Sequence, residues 1–148
     1  MQIRQATEND VESLVDLWIE LMDYHVAFST QFLINKNKRA AIEAFILEKL
    51  GKKLSRIYVM EADNAIVAML LARIDVRPEM FLHPKSGYIA ETIVTKVHRG
   101  KNIGNELAPV FLTGSPEFTD QIILSAGAAH LYRCKVLSAW YLTDWFVW

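Results

Sequence analysis

The sequence predicts a single mixed α/β domain (α+β, mixed sheet) over residues 1–148, and three observations carry that reading. Strand-like and helix-like patterns follow one another in the order β α α β β β α β α β. Asp63-Asn64 stands between two apolar runs as a tight-turn signal and joins them into a hairpin. Finally, the strand around Tyr88, Ile89, Thr92, Ile93 and Val94 breaks into a short basic loop, Lys96 to Gly104. It leaves as a helix with Ile103, Leu107, Val110 and Phe111 at helical spacing.

The elements follow in order. Residues 2 to 6 read as a short strand with Ile3 inward. Thr7 and Asp10 form a variant capping box. The helix behind it turns Val11, Leu14, Val15, Trp18, Leu21, Met22 and His25 to one face, with Glu12, Asp16, Glu20 and Asp23 on the other. Tyr24 to Asn37 has no period and reads as loop or partial helix. A second helix spans about Lys38 to Leu50, with Ile42, Phe45, Ile46 and Leu50 inward and Gly51 ending it. Arg56 to Ala62 and Ala65 to Asp75 are the hairpin strands. Pro78 and Pro84 bracket a loop, and Gly87 to Thr95 is the next strand. The third helix reaches about Leu112, and Thr113-Gly-Ser-Pro-Glu117 breaks it. Gln121 to Ser125 reads as a strand, Ala126 to Cys134 as a short helix, and Val136 to Trp148 as one or two final strands.

Composition narrows the function classes. Hydrophobic residues make up 52% and charged residues 22% of the chain, which marks a folded domain. A formal net charge of −1 lacks the basic excess of a general nucleic-acid or membrane-surface binder. The one cysteine, Cys134, excludes an intrachain disulfide and a cysteine-based metal cluster. His25, His83, His98 and His130 lack metal-ligand spacing, so no metal is expected. No window reaches the roughly 18 apolar residues of a membrane span. Met-Gln-Ile-Arg-Gln-Ala-Thr-Glu has no signal-peptide apolar region, so a cytoplasmic setting is expected.

Strand, glycine-containing loop and helix N-terminus together make an anion site. The first helical N–H groups have no partner within their helix, and the helix dipole favours negative charge there. Gly100 and Gly104 allow close backbone approach, while Arg99 and Lys101 add positive charge. The competing reading is a surface turn closed by the two glycines, with Arg99 solvated.

The element order, with the loop in this place, resembles the GNAT family of acyl-CoA-dependent N-acetyltransferases. The best-matching stretch is Gly87-Tyr-Ile-Ala-Glu-Thr-Ile-Val-Thr-Lys-Val-His-Arg-Gly-Lys-Asn-Ile-Gly104. Family members carry Arg/Gln-x-x-Gly-x-Gly/Ala where this chain has Arg99-Gly100-Lys101-Asn102-Ile103-Gly104. Asn102 thus replaces the first motif glycine, and asparagine reaches left-handed φ more easily than other non-glycine residues. The opening Ile-Arg-Gln-Ala-Thr-Glu-Asn-Asp and the Asp63-Asn64 hairpin also resemble the family. The resemblance covers residues 1 to about 112 and is poor beyond.

The resemblance implies a three-layer α/β/α fold around a central, mostly antiparallel, twisted sheet. It also implies acetyl-CoA as cofactor. The backbone of Ile93, Val94 and Thr95 would bond the pantetheine. The N–H groups of Arg99, Gly100, Lys101, Asn102, Ile103 and Gly104 would take the pyrophosphate. In this family an amine attacks the thioester carbonyl directly in a ternary complex, which calls for a base, an oxyanion partner and an acid. Glu91, an acidic residue in an otherwise apolar strand, is the candidate base, acting directly or through water; a solvated carboxylate or an ion pair is the alternative. Tyr132, within Ala128-Ala-His-Leu-Tyr132, is the candidate acid, or else a packed aromatic. Glu20, Asp23 and Tyr24 lie where the family places part of the acceptor site, though an acidic stripe on that face also reads as solvated.

Two features depart from the pattern. Pro109 inside the third helix removes a hydrogen bond and costs on the order of 3 kcal/mol in a helix interior, so a kinked or short helix is expected. The aromatic end, with Trp140, Tyr141, Trp145, Phe146 and Trp148, exceeds what one small core can hold and points to a homodimer. The leading function is N-acetyl transfer to a small-molecule or peptide amine, with the acceptor set by residues 24–37 and 76–86. A GNAT-like domain that binds acyl-CoA or a partner protein without catalysis is the alternative.

Overall fold

The hairpin of two apolar runs forms the middle of the sheet. The structure is a computed structural model, and it describes residues 1–76, 78–82, 85–113 and 124–126. β2 (Ser55–Ala62) and β3 (Ala65–Val76) pair antiparallel, from Ala62 opposite Ala65 to Ser55 opposite Arg73. Asp63 and Asn64 turn between them at φ 51° and 60°. Such a two-residue turn needs left-handed backbone, which Asp and Asn tolerate better than bulkier residues. β1 (Gln2–Gln5) adds antiparallel to β2, and β4 (Lys85–Val94) antiparallel to β3. β5 (Leu124–Ala126) runs parallel to β4 over Gly87–Ile89, giving the order β1-β2-β3-β4-β5.

Strand alternation divides the apolar residues between two faces. Ile57, Val59, Met69, Leu71 and Ile93 pack under α1 (Val11–Val26) and α2 (Arg39–Gly51), against Leu14, Val15, Leu21, Ile42 and Ile46. Tyr58, Met60, Ala68, Leu70 and Ala72 pack on the opposite face, against Ile103 and Leu107 of α3 (Ile103–Thr113). The result is an α/β/α sandwich around a mostly antiparallel sheet, as the family resemblance implies. Leu14, Leu21, Ile46 and Leu107 are among the most deeply buried side chains, and burial of each contributes roughly 2 kcal/mol. α1 also buries Leu17, while Val11 and Trp18 are only partly covered. It packs on α2 as well as on the sheet, which turns its apolar face beyond the stripe that spacing alone defines.

The start of α1 is held by charge. Thr7 N–H donates to Asp10 Oδ2 at 2.7 Å, and both terminal nitrogens of Arg4 reach the same carboxylate at 2.8 Å. The segment between α1 and α2 contains two short 3₁₀ turns, Thr30–Phe32 and Lys36–Lys38. Pro109 lies inside α3, which nevertheless runs from Ile103 to Thr113. No helix among the described residues is long and apolar enough to cross a membrane.

Two bulges interrupt the ladders. Val67 is the extra residue of β3 between the partners of Met60 and Glu61, and Ala90 is the extra residue of β4 between the partners of Leu71 and Ala72. A bulge re-aims the side chains beside it. Here Ala90 and its neighbour Glu91 line the same cavity instead of alternating between faces.

Candidate active site

The loop after β4 has the backbone of an anion cradle. Lys96–His98 makes a single 3₁₀ turn, then Gly100 and Asn102 adopt φ of 80° and 67°. Asn102 therefore takes the left-handed conformation that its short polar side chain allows at modest cost. Ile103, 2% exposed, anchors the first turn of α3 in the core. A Cβ placed on Gly100 or Gly104 would meet nothing within 4 Å. The protein's own packing thus leaves the approach to these backbone groups open. Lys101 is exposed beside them.

Arg99 plays a different part from the free charge expected of it. Its Nε donates to Val94 O at 2.9 Å, and its Nη2 reaches Glu20 Oε1 at 2.8 Å. The guanidinium also lies 5.3 Å from the ring centroid of Tyr24. The same Glu20 oxygen accepts from Lys96 N–H at 3.1 Å. Glu20 and Tyr24 therefore help tie the loop to α1. Asp23 pairs with Lys36 at 2.6 Å in solvent. Thr95 is also occupied: its N–H donates to Val67 O at 2.9 Å and its carbonyl accepts from His98 N–H at 2.9 Å. Alternation along β4 turns the backbone of Ile93 toward β3 as well. Of Ile93, Val94 and Thr95, only Val94 has its backbone toward the β5 edge. The backbone of Ile93 thus faces the ladder with β3, Thr95 bonds Val67 and His98, and the Val94 carbonyl accepts from Arg99.

Glu91 follows the Ala90 bulge on the face covered by α1 and α2. It lines a cavity of about 570 Å³ with Phe45, Lys49, Lys53, Leu71 and Arg73 among its walls. Its Oε2 is buried without a hydrogen-bond partner, as is Trp18 Nε1. Burial pushes the Glu91 carboxyl above its ordinary value. The nearby Trp18 indole N–H and the Lys49 charge pull it back in part, although the indole closes no bond of ordinary geometry. The solvated carboxylate and the ion pair, the two alternatives for Glu91, thus do not describe its buried oxygen.

Other sequence candidates fall into place around this site. His25 is buried with its ring 4.7 Å from that of Phe32, and burial lowers its pKa, as suits a packed neutral histidine. His98 Nδ1 lies 3.0 Å from Thr95 Oγ1. Tyr132, His83, His130, Cys134 and the aromatic C-terminus lie outside the described residues. Trp18, Phe45, Lys49, Lys53 and Arg73 were not legible as site residues. Trp18 and Phe45 read as core positions and the three cations carried no signal in the sequence, because only the fold brings them to one cavity with Glu91.

No family model matches the sequence, and no curated protein matches it. Solved structures do. One is a transcriptional regulator from Bacillus halodurans C-125, with a TM-score of 0.74 and 18% identity over 99% of this chain and 96% of that one. A second is a predicted acetyltransferase with acetyl-CoA from Clostridium acetobutylicum, at TM-score 0.71 and 17% identity over 99% and 94%. A third is the aminoglycoside 6'-N-acetyltransferase AAC(6')-Ih from Acinetobacter baumannii, at TM-score 0.71 and 13% identity over 99% and 95%. At these identities the likeness concerns architecture: the chain has the fold of the GNAT acetyltransferases.

Proposed function

We propose that the chain is an acetyl-CoA-dependent N-acetyltransferase that acetylates a primary amine, small-molecule or peptide, by direct attack in a ternary complex. One observation carries the reading. Glu91, whose Oε2 is buried and closes no hydrogen bond, sits at a bulge of the same strand that runs into the open, left-handed loop before α3. The loop fits a pyrophosphate, since Gly100 and Gly104 leave its backbone uncovered and a helix N-terminus favours an anion.

Acetyl-CoA would supply the acetyl group as an activated thioester. The backbone N–H groups of Arg99 to Gly104 would hold its pyrophosphate, with Lys101 adding charge and Val94 facing the pantetheine. Glu91, raised toward the working pH by burial, would take the proton of the acceptor ammonium directly or through water. Tyr132 is the proposed acid for the leaving thiolate. Asp23 and Tyr24, exposed near the end of α1, stay on the acceptor side, and Glu20 positions the loop.

Thermal shift with CoA and acetyl-CoA, followed by thiol release with a panel of amines, tests this. A shift with both and turnover of an amine are expected. No shift removes the cofactor assignment; a shift without turnover leaves an acyl-CoA-binding domain without catalysis. Gly104→Glu should abolish CoA binding while the fold stays intact, because its Cβ meets open space and its carboxylate would occupy the anion position. Unchanged CoA affinity in that variant contradicts the loop assignment.

A further inference from the structure

The cavity at Glu91 has a charge of its own. Lys49, Lys52, Lys53 and Arg73 line it against the one carboxyl of Glu91. Two of these cations are balanced locally: Lys52 pairs with Glu48, and Arg73 with Asp75 at 2.9 Å. Lys49 Nζ stands 4.8 Å from the Phe45 ring centroid and only 3.7 Å from Glu48 Oε1, an oxygen that Lys52 shares. Lys53 enters no ion pair among the described residues. Apart from Ser55, the remaining walls, Phe45, Leu54, Leu71, Ile74 and Ala90, are apolar. Apolar walls lower the effective dielectric around the partly buried Lys49, while the exposed Lys53 adds its charge at the mouth.

Resting on the acetyl-transfer reading, we propose that the acceptor is an amine bearing an anionic oxygen group, carboxylate or phosphate, a few bonds from its nitrogen. The nitrogen lies at Glu91 and the anion at Lys53 and Lys49. A polycationic acceptor would be repelled here. The same cations disfavour the ammonium form of the bound amine, which eases its deprotonation by Glu91. In the step, the nitrogen–carbon bond forms as the carbon–sulfur bond breaks with its electron pair on sulfur. The proton lost by nitrogen goes to Glu91, and the sulfur takes one from water.

The test uses the full chain and matched amines: β-alanine against β-alaninamide, O-phosphoethanolamine against ethanolamine, and spermidine as a polycation. Binding is read by calorimetry and kcat/KM by thiol release. At least one anionic member should bind and react about tenfold better than its neutral partner, the scale of one hydrogen bond to a charged group. Which member wins identifies the anion. Lys53→Glu should erase that preference with an unchanged melting temperature, and Lys53→Arg should retain it. Acetyl-CoA binding and turnover with no preference for either anion, or with spermidine preferred, overturns the acceptor assignment alone. Absence of both acetyl-CoA binding and turnover instead overturns the acetyl-transfer reading, and the acceptor assignment falls with it.

Discussion

Asp10 is a buried carboxylate and Glu91 has one buried carboxylate oxygen, and their surroundings shift them in opposite directions. Asp10 accepts from Arg4 and from Thr7, and these bonds lower its pKa from the ordinary 3.8 to about 2. A lowered folded pKa gives stability that is present above the ordinary value and lost as pH falls toward about 2. Asp10→Asn should therefore cost about 2 kcal/mol in urea denaturation at neutral pH, and the deficit should close near the acid end. A deficit independent of pH would show that the ion pair is not its source. Glu91 has no such partners, and burial raises it. Its ionisation therefore works against the fold: stability falls as pH rises from the ordinary 4.5 through the folded pKa. Glu91→Gln should lower kcat about a hundredfold or more without lowering the melting temperature at neutral pH. A destabilised variant would mark Glu91 as a structural residue.

Among the elements, the connection from β4 to α3 depends on its neighbour α1. Glu20 accepts from both Arg99 and Lys96 N–H, so one carboxylate restrains the two ends of the 3₁₀ turn. These contacts are partly exposed, which limits each to about 1 kcal/mol or less. Glu20→Ala should weaken CoA binding about fivefold by calorimetry, with little change in melting temperature. Asp23→Ala, on the same helix but paired outward with Lys36, serves as the control. Equal affinity in Glu20→Ala and the native protein would show that the loop holds its shape unaided. α3 shows a related division of labour. Among its described side chains the buried ones, Ile103 and Leu107, both precede Pro109, so the turn proposed to face the anion is fixed before the proline.

For the whole molecule, the two cores serve different ends. The core under α3 seats the proposed cofactor loop through Ile103 and Leu107. The core under α1 and α2 includes Ile93 and has Trp18, Phe45 and Ala90 packed against it, beside the Glu91 cavity. β4 belongs to both, so a single strand links the two proposed functions. The aromatic C-terminus lies outside the described residues, and a homodimer through it is proposed from its composition. Sedimentation at micromolar concentration should give twice the chain mass, and a monomeric mass would remove the dimer.

The sequence by itself determined the order of elements from β1 to α3 and which of their faces is apolar. Periods of two and about three and a half residues specify which face of a strand or helix is apolar, and they do so locally. It also determined the backbone at Asp63, Asn64 and Asn102, because residue type restricts left-handed φ. Glu91 stood out as an acid in an apolar strand, but its environment did not. Only the tertiary structure decided that it meets Trp18, Phe45, Lys49 and Lys53, which α1, α2 and the segment before β2 bring from far along the chain. The same holds for Arg99, whose charge turned inward to Glu20 and Val94. A pKa, a cavity and an ion pair depend on partners across space, and no local pattern encodes them.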